Sequence, residues 1–187
     1  DLRGADAILS VTPYYNKPTQ EGIYRHFSTI ADTCDIPIVL YNVPGRTGVG
    51  IAAETVARLV KNRNVLGVKE AAGSVERVSE ILSLCDTSIM CGDDSLTVPM
   101  MLLGAKGVIS VASNIIPAEL KKMTDACASG DFMTAVAMHR KYWRLFKDLF
   151  VESNPIPVKA AMAMLGQPEQ RRELVERQHR DFDGLAA

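Results

Sequence analysis

Lys69 is the residue whose type and setting most directly offer chemistry. It closes the apolar run Val65-Leu66-Gly67-Val68. A lysine at the end of a buried strand is desolvated, which disfavours its ammonium form. A free amine near neutral pH is the nucleophile that carbonyl addition needs. The alternative is a structural ion pair with Glu70 or another carboxylate. Glu70 is a poor partner, because neighbours along a strand point to opposite faces. Spacing alone leaves nucleophile and ion pair both open.

Two further residues bear on the same place. Tyr41 ends the preceding apolar run, Pro37–Tyr41, so its hydroxyl is placed to shuttle a proton during carbinolamine formation and dehydration; a hydrogen-bonded core aromatic is the competing reading. Arg46 lies in a Gly-flanked turn after Pro44. It suits bidentate carboxylate binding, or is a solvated loop arginine. The pair Asp93-Asp94 is open to magnesium, but a helix N-cap and first-turn role is favoured over it. His26, His139 and His179 are scattered through helical patterns and read as surface or packing residues. Cys34, Cys85, Cys91 and Cys127 form no CxxC pair, which predicts reduced thiols in a cytosolic protein.

The elements that must position these residues alternate. Short runs rich in Val and Ile occur at Ala7–Val11, Pro37–Tyr41, Val65–Val68, Ser88–Cys91 and Gly107–Val111. Their uniform apolarity predicts strands buried on both faces of a parallel sheet. Between them, apolar residues at spacings of three and four predict helices over Gly22–Cys34, Ala53–Val60, Val75–Leu84, Leu96–Leu103 and Pro117–Ser129. Ser74, and Asp94 or Ser95, are candidate N-caps, and Gly104 and Gly130 candidate stops. Five βα units in series imply right-handed crossovers, in either a doubly wound sheet or a (β/α)8 barrel. Both architectures gather their chemistry at the carboxyl ends of the strands.

From about Gly130 the rhythm becomes helical. Phe132–Phe150 is a long helix, Asn154-Pro155-Ile156-Pro157 a rigid link, Val158–Leu165 another helix, and Glu169–Phe182 a charged segment of helical tendency. The expected organisation is a partial barrel over 1–130 and a C-terminal helical region over 131–187.

The bulk numbers exclude other classes. A net charge of -1 over 187 residues gives no field to draw in nucleic acid. No apolar run approaches the roughly 20 residues that span a bilayer. The start, Asp1-Leu2-Arg3-Gly4, lacks a methionine and runs almost directly into an apolar strand, so a chain without its natural beginning is expected.

In order along the chain stand Thr12–Pro18, Tyr41-Asn42-Val43-Pro44-Gly45-Arg46-Thr47-Gly48, Gly67-Val68-Lys69-Glu70-Ala71, Gly92-Asp93-Asp94, Gly107-Val108-Ile109-Ser110-Val111 and Asn154-Pro155-Ile156-Pro157-Val158-Lys159. To about Gly166 the chain resembles the dihydrodipicolinate synthase family, of the N-acetylneuraminate lyase superfamily. The resemblance implies an α/β fold: the later five βα units of a TIM (β/α)8 barrel, followed by a helical C-terminal region. It implies imine formation between Lys69 and pyruvate, with Tyr41 in the proton relay. Tyr15 would reach into a neighbouring subunit's site, making a homodimer or homotetramer. Arg46 would engage the carboxylate of L-aspartate-4-semialdehyde. Gly92 and Ile109 would line the pyruvate pocket with backbone, and Tyr14 would lie near a regulatory lysine site. The implied product is 4-hydroxy-tetrahydrodipicolinate, formed in the cytoplasm without metal or organic cofactor.

Against that pattern, roughly the first three βα units are missing, among them a Gly-Thr-Thr-Gly-Glu segment whose threonine links the relay tyrosines. Most of the lysine site would go with them. The tail after Gly166 also departs from the family's usual ending. Five strands do not close an eight-stranded barrel, so weak or absent activity of the chain alone is expected. The competing readings are a sialic-acid or 2-keto-3-deoxy sugar acid lyase, against which Arg46 and the Tyr14–Pro18 loop argue, and an inactive truncated remnant.

Overall fold

The computed structural model describes residues 4–167. Five strands, β1 (Ile8–Val11), β2 (Ile38–Asn42), β3 (Val65–Glu70), β4 (Ser88–Cys91) and β5 (Gly107–Val108), form one sheet in chain order β1-β2-β3-β4-β5. Every neighbouring pair is parallel. A doubly wound sheet reverses its strand order at a switch point; this one does not.

The crossovers are helical. α1 (Gln20–Thr33) links β1 to β2, and α2 (Pro44–Thr47) with α3 (Ala53–Leu59) links β2 to β3. α4 (Glu76–Leu84) leads to β4, and α5 (Thr97–Leu102) to β5. α1 starts where expected of an amphipathic helix: the Thr19 hydroxyl accepts the Gly22 N–H, and Ile23, Phe27 and Ala31 fall at spacings of four on its buried stripe.

Those helices share one core with one face of the sheet. Ile23 and Phe27 of α1, Val56 and Leu59 of α3, Val78 and Ile81 of α4, and Met100 of α5 meet Ile38, Leu40, Val65, Val68, Ile89 and Cys91 from the strands. The opposite face is only partly covered: Leu9 is 44% and Leu66 51% exposed. The helix face is thus fully covered, and the second face is less so among the described residues. Short apolar runs report which residues tolerate burial, not which neighbour supplies it.

The chain divides into two compact units between Ile109 and Ser110. The second holds α6 (Pro117–Ser129), α7 (Phe132–Asp148) and α8 (Ile156–Met164). Gly130 ends α6 in a left-handed conformation, and the Asp131 carboxylate caps α7 by accepting the Thr134 N–H.

Several boundaries move. β3 runs on to Glu70, so Lys69 lies within the strand. β5 is shorter than expected, and Ala112–Asn114 turns into a 3-10 helix. Ser74 is not a cap; Val75 holds that position without a side-chain bond. Asp94 and Ser95 do not cap α5 either, because Asp94–Leu96 is a 3-10 turn ahead of it. α8 begins at Ile156 rather than Val158, since a proline is tolerated in a helix's first turn. Glu169–Phe182, read as helical in tendency, lies outside the described residues.

Candidate active site

Lys69 reaches its place through an irregularity in β3. The β2–β3 register pairs Ile38 with Val65 but Val39 with Gly67, so Leu66 is an extra residue. This is a bulge, and it resets the alternation of the strand after it. Without it, Lys69 would share a face with Val65, against the helices. With it, Val68 and Glu70 face the helices, and Lys69 turns to the other face beside Tyr41. Gly67 suits the bulge because a Cβ there would collide with the Ser88 carbonyl oxygen across the ladder.

On that face the register sets Val11, Tyr41, Lys69, Met90 and Gly107 in one row across all five strands. Lys69 Nζ lies 4.1 Å from the centroid of the Tyr41 ring. Burial pushes the Lys69 ammonium below the usual lysine range, and Arg46 adds to that. Asp93, Asp94 and Cys91 pull the other way. Burial also pushes the Tyr41 phenol up, with Asp93 adding to the rise and Arg46 opposing it. The phenol thus keeps its proton while the amine sheds its own more readily, which is the pairing an amine nucleophile and a proton donor require.

Glu70 is not the partner of Lys69. Only 1% exposed, it points to the helix face. Its oxygens accept from Asn42 Nδ2 at 2.8 and 2.9 Å, from the Ala72 N–H at 2.9 Å and from Arg77 Nε at 3.3 Å. The structural ion pair weighed for Lys69 is therefore not made with its neighbour.

Gly92 borders Lys69 closely. Its N–H donates to the Glu70 carbonyl at 2.8 Å, and a Cβ built on it would stand 3.2 Å from Lys69 Cε and 2.5 Å from Ala71 Cβ. Asp93 is half-buried, accepts the Gly73 N–H, and has its carboxyl pushed above the usual range by burial and by Asp94, with Lys69 opposing. It holds the N-cap position of the 3-10 turn Asp94–Leu96 without a side-chain capping bond, with Asp94 in the first turn, and its charge acts on the Lys69 amine. Cys91 is no rival nucleophile: burial pushes its thiol up to about 12.

Arg46 stands exposed on α2, near enough to act on both Lys69 and Tyr41 through its charge. Ile109 follows β5, its N–H donating to the Cys91 carbonyl at 2.9 Å, with its side chain 37% exposed. Tyr14 and Tyr15 lie on the loop after β1, 40% and 95% exposed, and are not brought into the Tyr41–Lys69 pair. Reading by spacing missed Asn42 and Arg77, which anchor Glu70, and the nearness of Asp93 to the amine. A signal existed for the first two: Asn42 is in phase with the buried Ile38 and Leu40, and a polar side chain in such a row requires a partner.

Residues 2–177 match the model of the dihydrodipicolinate synthetase family. The 4-hydroxy-tetrahydrodipicolinate synthase of Sulfurihydrogenibium sp. (strain YO3AOP1) is 57% identical over 166 residues, covering 87% of this chain and 57% of the relative. The dihydrodipicolinate synthase structure from Aquifex aeolicus superposes with a TM-score of 0.85 at 44% identity, over 96% of this chain and 67% of that one. A chloride-inhibited dihydrodipicolinate synthase from Acinetobacter baumannii, solved with pyruvate, gives 0.84 at 42% identity, over 95% and 66%. The chain thus spans 57% of the length of this curated relative, and its parallel sheet is the matching part of a (β/α)8 barrel. By sequence and by structure alike, the chain belongs to the dihydrodipicolinate synthetase family.

Proposed function

We propose that Lys69 is the Schiff-base lysine of an enzyme that condenses pyruvate with L-aspartate-4-semialdehyde to give 4-hydroxy-tetrahydrodipicolinate. The observation that carries this is the Lys69 amine, lowered in basicity by burial and held 4.1 Å over the Tyr41 ring. The family membership supplies the chemical context.

In this reading the Lys69 lone pair adds to the ketone carbon of pyruvate. Tyr41 relays the proton shed by the nitrogen to the alkoxide, giving the carbinolamine, and then delivers a second proton to the hydroxyl; it leaves as water while the nitrogen lone pair forms the protonated imine. Loss of a methyl proton gives the enamine, whose carbon adds to the aldehyde. The amino group of the semialdehyde then attacks the imine carbon and displaces the Lys69 amine, closing the ring. Arg46 supplies a guanidinium at the rim for the semialdehyde carboxylate. Gly92 and Ile109 offer backbone to the pyruvate end, and the closeness of Gly92 to Lys69 supports its part.

Tyr15 belongs to a neighbouring subunit's site in this scheme, in a homodimer or homotetramer; its 95% exposure leaves it available for that. Tyr14 is assigned to a regulatory lysine site. The cytoplasm is the proposed compartment; among the described residues no helix is long and apolar enough to cross a membrane.

The test is an acceptor screen on the full-length protein with pyruvate as donor. Turnover with L-aspartate-4-semialdehyde, and none with sugar aldehydes, is expected. Turnover only with sugar aldehydes would move the protein to the sialic-acid or sugar-acid lyases.

A further inference from the structure

Asn42 and Glu70 each follow a residue of the site by one position, Tyr41 and Lys69 respectively. They are direct register partners on β2 and β3, and both are 1% exposed. They face the helices, so neither touches the reacting atoms. Every group turned toward the Glu70 carboxyl is a donor: Asn42 Nδ2 to both oxygens, the Ala72 N–H, and Arg77 Nε. Such a donor set favours the carboxylate and opposes the burial that pushes the Glu70 carboxyl above its usual range.

The bonds continue outward. Asn42 Oδ1 accepts the Ile51 N–H at 3.0 Å, and the Arg77 guanidinium donates to the Ile51 carbonyl at 2.7 Å. Ile51 lies in the short loop between α2, the helix that carries Arg46, and α3. Four segments are thereby tied at one point: the end of β2, the end of β3, the loop after α2 and, through Arg77, α4. A buried carboxylate network adds little stability over apolar packing of the same volume, so a positional role gives it a reason to exist.

We propose that Asn42 and Glu70 form a positioning pair. It fixes the lateral spacing and rotation of β2 and β3 where they carry Tyr41 and Lys69, and through Ile51 it ties the loop that follows the Arg46-bearing helix α2 to them. This rests on the Schiff-base reading of Lys69. A displacement of about 1 Å at a reacting pair costs roughly a hundredfold in rate, so small slips at this pair are read out strongly.

The experiment compares the full-length protein with Asn42→Asp, Glu70→Gln and the double exchange. Asn42→Asp sets two carboxylates face to face. Glu70→Gln turns an amide NH2 toward a row of donors. The double exchange restores a donor and an acceptor with reversed polarity. One readout is the rate of pyruvate-dependent borohydride trapping at saturating pyruvate. The other is the pH midpoint of Lys69 acylation by acetic anhydride, followed on the Lys69 peptide by mass spectrometry; it needs no pyruvate. Denaturant midpoints are recorded alongside.

Each single variant is expected to trap roughly tenfold more slowly or worse. Its acylation midpoint is expected to rise toward the ordinary lysine value as water reaches the amine. The double exchange is expected to recover most of both. Single variants that keep rate and midpoint, or a double exchange no better than the worse single, would overturn the proposal. Where a single variant unfolds, Arg77→Gln carries the test, since it strips one donor from the same carboxylate at a more exposed position; an unmoved midpoint there sinks the idea. If the parent protein traps no pyruvate while the midpoints still move as expected, the Schiff-base reading fails and the positioning pair stands.

Discussion

Lys69 stands directly beside Tyr41 across the β2–β3 ladder, with its Nζ 4.1 Å from the tyrosine ring. On adjacent parallel strands, register partners point to the same face, so the two are held together by backbone geometry rather than by a flexible loop. A site built on strands is positioned more tightly than one built on loops.

The Tyr41 hydroxyl is assigned the proton transfers at the pyruvate oxygen. Tyr41→Phe removes that hydroxyl and keeps the ring under the amine. Imine formation is expected to slow by roughly 10²–10⁴-fold, with little change in the denaturant midpoint. Single-turnover trapping with pyruvate measures the rate; a Phe variant that traps as fast as the parent would remove Tyr41 from the relay.

The charges around the amine set a pH dependence of known sign. Lys69 loses its proton below the usual lysine range, so the rate of imine formation should rise with pH through a midpoint under that range. Asp93 favours the ammonium form and Arg46 disfavours it. Asp93→Asn should therefore move the midpoint to lower pH, and Arg46→Met to higher pH. Opposite shifts, read from trapping rates across pH, would show that the neighbouring charges are misassigned.

Gly92 leaves no room for a side chain. In Gly92→Ala the new Cβ would meet Ala71 Cβ at 2.5 Å and crowd the Glu70 carbonyl oxygen and Lys69 Cε at 3.2 Å. Overpacking of this kind costs roughly 1–3 kcal/mol. Urea unfolding should show that loss, and trapping should slow with it because Lys69 is one of the displaced groups. A variant of unchanged stability and rate would mean that the strand ends yield without cost.

A role for Tyr15 across a subunit interface has its own signature. Homo-oligomers of Tyr15→Ala and of Lys69→Ala are each expected to be nearly inactive. Mixing them through a reversible dissociation step places one intact tyrosine and one intact lysine in the same site, and activity should partly return. No recovery in verified mixed oligomers would confine Tyr15 to its own chain.

Much of the architecture is legible in the residues. The five apolar runs are the five strands, and the helix between each pair of strands is near its expected place. What periodicity does not show is the bulge at Leu66. A continuous apolar run carries no phase, so strict alternation from Val65 would have set Lys69 against the helices. The bulge alone puts it beside Tyr41. Glu70 shows a second limit. Spacing removes it as a partner for Lys69, yet its true partners, Asn42 and Arg77, come from another strand and a later helix. Tyr15 marks a third: at 95% exposure its assignment rests on the family resemblance, because a single chain holds no record of what an exposed side chain meets.

The central claim is that Lys69 is the nucleophile. The full-length protein is incubated with pyruvate, reduced with borohydride and digested, and the adduct is located by tandem mass spectrometry. A reduced pyruvate adduct on Lys69, absent without pyruvate and absent in Lys69→Arg, is the expected result. No adduct, or an adduct on another lysine in the folded protein, would contradict the account.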